Sequence, residues 1–387
     1  MLKFIIRVLD RAKAFHLGRF KCIILSPVIH SRVYVIGNLF SRYFNSPVIV
    51  ITCSRFIRIS VSSEINVLTI GLPVVLHSLF LSSLNPDILV LRAHWNQKVI
   101  LDIVQNLRIN TKKCHICYDT IDVIANALTI SYKELYREQV HAEFALISLS
   151  SFVLARDGRI NLLKDKNHTL RNKSIVFLPE VFPSCSIYSN PIKACDNFSF
   201  SPIELVYVGN ISMDPSCNNS WQFSLAEIIR REDITLNIYN SFNSNHLKLV
   251  EYIENNDLVG TIVSHAPIPF HELASTISRH HIGLTVSRLN SSKPHSTYIE
   301  RAVRLTLGAK TFDYQQSSLP VICERGLFVS RLVTSKHIGL AVDDLAEIPN
   351  AAKKIVSDYL NFVNPQSLTA EEFYPYFRHS LSLALNK

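Results

Sequence analysis

The chain has 387 residues, 48% hydrophobic and 18% charged, with a formal charge of +9. That length accommodates two domains with separate cores, and that composition excludes a disordered chain. Ten glycines argue against several glycine-rich phosphate loops, and the apolar run at 73–81 is interrupted by His77 and Ser78, short of the roughly 20 residues a membrane-spanning helix needs.

The positive charge is dispersed, without a Lys/Arg stripe or a zinc-finger or RNA-recognition pattern. Nucleic acid is therefore set aside, and a surface suited to anionic lipid and to diphosphate ligands is preferred. Eight cysteines are scattered, and Cys114-His-Ile-Cys117 has no second ligand cluster. They read as reduced, structural thiols. No signal peptide is evident, so a cytoplasmic location is expected.

Residues 1–21 interleave Lys3, Arg7, Arg11 and Lys13 with Ile5, Leu9 and Phe15. Two readings stay open there: a basic amphipathic helix on a membrane surface, or a first helix packed on its domain. A β/α rhythm follows, with candidate strands at 21–25, 47–53, 66–70, 88–94, 113–118 and 174–178. Helical patterns run to about 44 and over 74–84, 97–109 and 132–149. Such alternation predicts a parallel, doubly wound sheet in a domain spanning 1–180. Ligands bind such sheets beyond the carboxyl ends of the strands. Arg92 and His94 sit at one such end, Asp119 and Asp122 at another, and Arg32 in the loop after the first strand. For the two aspartates, helix capping and a role in a ligand site both remain open, with proton transfer considered for Asp119.

Residues 179–202, rich in Pro, Ser and Asn, read as a linker. Strands are then expected at 203–208, 234–239, 260–265, 282–287, 320–323 and 338–342, alternating with helices at 221–231, 245–255, 269–279, 328–336 and 345–359. This is a second doubly wound domain over 203–367, followed by an amphipathic tail at 368–387. Within it, Lys310-Thr-Phe-Asp313-Tyr-Gln-Gln-Ser317-Ser318-Leu-Pro320-Val-Ile predicts a short helix, a small-residue turn and a buried strand. Lys310 and Asp313, three apart, share one helical face. A carboxylate and an ammonium so placed suit vicinal ribose hydroxyls and phosphate; an ordinary i,i+3 ion pair is the alternative.

This run resembles the C-terminal donor motif of GT-B glycosyltransferases of the family 4 type, Lys-x-x-Glu-Tyr-x-x-x-Gly-x-Pro-Val-Ile. Asp313 stands for the family's Glu and Ser318 for its Gly. Leu205-Val-Tyr-Val-Gly209 is similar to the family's Tyr-Val-Gly strand, and the strand from Pro86 to His94 to its Pro-Asp…His strand. The resemblance implies two Rossmann-like domains facing a cleft, with the tail crossing back to the first. It implies a nucleotide-sugar donor on the second domain, with Asp313 on the ribose and Lys310 near the diphosphate. Ser317, Ser318, Gly209 and Asn210 would line that donor site. His94 would face the donor, Asp119 would be the base of an inverting enzyme, and neither metal nor other cofactor is required. The Arg and Lys that normally follow the Tyr-Val-Gly strand are absent from Gly209-Asn-Ile-Ser-Met-Asp214, and the family's Gly-rich loop after the first strand is replaced by residues 26–32, where Arg32 is the expected substitute on the donor. The function implied is sugar transfer to a lipid-linked glycan in surface-polysaccharide synthesis, at the inner face of the membrane. A non-catalytic GT-B-like subunit and a nucleotide-sugar epimerase are the alternatives.

Overall fold

β-Branched and aliphatic runs set the architecture: Val48-Ile-Val-Ile and Ile88-Leu-Val-Leu carry no alternation, as strands buried on both faces require. The computed structural model describes residues 21–27, 31–54, 58–62, 67–84, 86–93, 96–107, 114–120, 137–156, 158–166, 168–178, 200–209, 211, 221–240, 242–286, 309–363 and 370–386. The chain divides into two compact units, one of residues 1–181 with 373–387 and the other of 182–372.

The first unit is built from β1 (Cys22–Leu25), α1 (Ser31–Phe44), β2 (Val48–Cys53), β3 (Arg58–Ser62), β4 (Val67–Leu72), α2 (Val74–Leu84), β5 (Ile88–Leu91) and α3 (Gln97–Gln105). It continues with β6 (His115–Thr120), α4 (Arg137–Leu149), β7 (Phe152–Ala155), α5 (Arg159–Lys166), α6 (His168–Arg171) and β8 (Ser174–Phe177). The sheet order is β3-β4-β2-β1-β5-β6-β7-β8, parallel except for the β3–β4 pair. The parallel, doubly wound sheet expected from the sequence is present, with one antiparallel edge strand, β3, added to it. Ile23 of β1 lies between Ile49 and Leu89, and all three are buried.

The second unit comprises β9 (Ile203–Val208), α7 (Trp221–Ile229), β10 (Ile234–Tyr239), α8 (Asn243–Asn255), β11 (Ile262–His265), α9 (Phe270–Ile277) and β12 (Ile282–Thr285). After these come α10 (Ala309–Gln316), β13 (Val321–Glu324), α11 (Phe328–Ser335), β14 (Gly339–Val342), α12 (Ile348–Ser357) and α13 (Tyr359–Phe362). Its six strands are all parallel, in the order β11-β10-β9-β12-β13-β14. The long helix expected at 345–359 is instead a 3-10 turn and two helices, interrupted at Asp358.

The last helix, α14 (Ala370–Leu385), packs on α1 within the first unit. Phe377 meets Phe40 edge-on at 5.3 Å, Arg42 lies 4.2 Å from the Tyr374 ring centre, and Tyr43 bonds Ser382 at 3.1 Å. The expected linker lies almost wholly outside the described residues, as does the N-terminal basic segment up to residue 20.

Candidate functional site

A doubly wound sheet opens a crevice where successive connections leave one strand in opposite directions. In the first unit this point lies between β1 and β5. Ser26 continues the ladder onto Ile51, and Arg92 bonds back to Leu25. Nearby, Arg32 in the first turn of α1 meets Asp119 of β6. The Arg32 Nε donates to both Asp119 oxygens at 3.1 Å, its Nη2 to Oδ1 at 2.7 Å, and its Nη1 to the Leu178 carbonyl at 2.6 Å. Arg92 adds a longer contact to Oδ2 at 3.4 Å. Arg32 and Asp119 are both fully enclosed.

That geometry reassigns two expected site residues. Both Asp119 oxygens carry guanidinium donors, so the carboxylate is already engaged where a general base needs an open lone pair. The Arg32 guanidinium is likewise engaged, by a carboxylate and a carbonyl, and that pairing stands against the donor-binding role expected of it. The pair ties α1, β6 and the end of β8 together. His94, Asp122 and Asn210 lie outside the described residues.

In the second unit the switch point lies between β9 and β12, because the chain runs outward from β9 to β10 and β11 and then returns on its other side. Here the structure brings Gly209, Lys310 and Tyr207 together. Helix α10 buries Phe312 and Tyr314 and leaves Lys310 and Asp313 partly open. Lys310 reaches over the end of β9: its Nζ donates to Tyr207 Oη at 2.6 Å and stands 3.9 Å from the ring centre. Gly209 has φ +137, and a Cβ there would lie 2.9 Å from Lys310 Cε. A side chain at 209 would displace the ammonium. The cation therefore sits against bare backbone at the strand end, where an anionic ligand can approach closely.

Asp313 is one turn along the same helix. Ser317 and Ser318, expected to line the donor, do another job. The Ser317 hydroxyl is buried and donates to the Asp313 carbonyl at 2.8 Å. Ser318 has φ +55, Leu319 N–H bonds Tyr314 O, and Ser318 N–H bonds Gln315 O. Those bonds are a Schellman ending, with Ser318 in the left-handed position where the related motif has Gly.

Sequence reasoning missed Tyr207 and treated Tyr314 as a motif match without a task. Trp221 and Gln222, which open the helix after β9, also escaped it: the indole N–H and both amide atoms are buried with no hydrogen-bond partner among the described residues, and Trp221 lies edge-on to Tyr207 at 5.1 Å. Buried polar atoms of this kind mark a place worth explaining. Their only sequence signal was a Trp-Gln pair at a helix start beyond a strand-end glycine.

Residues 231–365 match the family model described as Glucosyltransferase 3-like, C-terminal domain. No curated protein sequence matches the chain. Among solved structures, Anabaena HepE in complex with UDP-glucose superposes with a TM-score of 0.61 at 10% identity, over 94% of this chain and 99% of that one. Sucrose-phosphate synthase of Thermosynechococcus elongatus gives 0.59 at 12% identity, over 95% and 97% of the two chains. A glycosyltransferase from Rickettsia africae gives 0.55 at 13%, over 95% and 96%. At such identities the likeness is one of fold: the chain has the GT-B fold, two Rossmann-like units in series.

Proposed function

We propose that this GT-B chain is a glycosyltransferase that takes a sugar from a nucleotide-sugar donor. The observation that carries the reading is Lys310 of α10, seated against Gly209 at the switch point of the second sheet, with Asp313 one turn along the same helix. Lys310 meets the diphosphate, and Asp313 accepts from the ribose hydroxyls. The match of residues 231–365 to a glucosyltransferase-like C-terminal domain and the UDP-glucose held by HepE support a hexosyl donor.

Acceptor recognition falls to the first unit, and the acceptor we favour is a lipid-linked glycan presented at the inner membrane face, in surface-polysaccharide synthesis. No described helix is long and apolar enough to cross a membrane, and the charge of +9 favours contact with anionic lipid. With the ammonium of Lys310 facing the leaving diphosphate, the transfer is assigned no metal. Asp119 being engaged by Arg32, a retaining reaction, in which the donor phosphate takes the acceptor proton, fits better than an inverting one that relies on Asp119.

A panel of UDP-, GDP- and ADP-sugars, incubated with the chain and assayed for nucleotide release, tests this reading. Slow release from one donor is expected, lost in Asp313→Ala. Binding of a donor with no release would support the non-catalytic subunit instead. A changed sugar with no acceptor present would point to the epimerase.

A further inference from the structure

The β9–β12 ladder is short. Its register runs only from Ile282 opposite Leu205 to Gly283 opposite Val206. Beyond it the strands are joined by a side chain. Tyr314 Oη accepts the Val208 amide at 3.1 Å and donates to the Leu284 carbonyl at 3.1 Å. One hydroxyl thus stands where a further rung would be. The ring reaches that position by lying over Gly283, where a Cβ would come 2.3 Å from Tyr314 Cγ.

The three elements so joined carry the two halves of the donor site. Tyr314 is one turn along α10 from Lys310 and adjacent to Asp313, while Val208 directly precedes Gly209. Burial also drives the phenol's pKa well above its ordinary value of 10, so the proton that bonds Leu284 stays in place. We propose that Tyr314 is a positioning residue: its hydroxyl, admitted by Gly283, clamps α10 to the open end of β9 and so holds Lys310 at Gly209. This rests on the nucleotide-sugar reading of the same site.

Loss of the hydroxyl in Tyr314→Phe leaves the half-buried Val208 amide and the buried Leu284 carbonyl without that partner. The strands are then free to shift and the ammonium is no longer held to the strand end. Calorimetric titration with UDP, GDP and ADP, well below the unfolding temperature, identifies the nucleotide bound and then compares variants. Tyr314→Phe is expected to bind it about tenfold more weakly, and Lys310→Ala should cost less in that background than in the unmodified chain, because a residue acting through Lys310 gives non-additive losses. Equal affinity in Tyr314→Phe, or strictly additive losses, overturns the proposal. Gly283→Ala approaches it from the other side, pushing the ring while keeping the hydroxyl, and is expected to weaken binding as well. Wild-type affinity there also overturns it. So does collapse of the fold in both variants, since that would make Tyr314 a core residue rather than a clamp on the site. If the unmodified chain binds none of the three nucleotides, the function reading itself fails, a result separable from all of these.

Discussion

Arg32 and Asp119 are 87 positions apart, yet share three contacts of 2.7–3.1 Å inside the first unit. Two charges withdrawn from water at this depth are tolerated only because each satisfies the other, and removal of one leaves the other uncompensated. Asp119→Ala is therefore expected to destabilise the chain by about 3–5 kcal/mol, read as a lowered midpoint in urea or thermal unfolding. A loss under about 1 kcal/mol would mean the pair is solvated. Nothing local in the sequence announces such a partnership. Lys310 and Asp313 were legible because their spacing is short and helical; Arg32 and Asp119 were not, because only the strand order brings them together.

The same contrast appears among the elements. Fully apolar strands such as Val48–Cys53 were legible, whereas β3 was missed: Arg58-Ile-Ser-Val-Ser is five residues of alternating polar and apolar type at the sheet edge, without a continuous apolar run. Strand β7 was missed because Phe152-Val-Leu-Ala is four residues long behind a serine run. The end of α10 shows a motif legible in outline and altered in one residue. Ser318 holds φ +55, a conformation that costs an L-residue energy and glycine almost none. Ser318→Gly is expected to stabilise the chain by about 0.5–1 kcal/mol, visible as a raised unfolding midpoint with no loss of nucleotide binding. Reduced stability would show that the serine side chain contributes more than its backbone strain removes.

At the scale of the molecule, two buried or half-buried histidines set a pH dependence. Burial lowers the pKa of His77 below its usual 6.5, and burial with the nearby His246 and Arg279 lowers that of His265. In each case the folded state binds the proton more weakly than the unfolded chain. Their stabilising effect is thus complete above the unfolded value near 6.5 and is lost as the pH falls below it toward the depressed folded values. Urea midpoints should be flat from pH 8 to about 7 and fall between about pH 6.5 and 5. His77→Gln, which keeps a neutral donor toward the Leu72 carbonyl, should flatten that slope. A midpoint that rises on acidification would contradict the assignment.

The repeated β/α rhythm made the two-unit fold readable from hydrophobic patterning. A match to a solved neighbour at 10% identity over 94% of the chain shows how little side-chain detail that pattern requires. The proposed donor site depends on more, namely an acid and a cation one turn apart on one helix, with the cation against a bare strand end. Calorimetric titration of the unmodified chain and of Asp313→Ala with UDP, GDP and ADP tests that most directly. The expected result is saturable binding of one nucleoside diphosphate, abolished by the substitution in a protein that still unfolds cooperatively. Binding that Asp313→Ala leaves unchanged would contradict it.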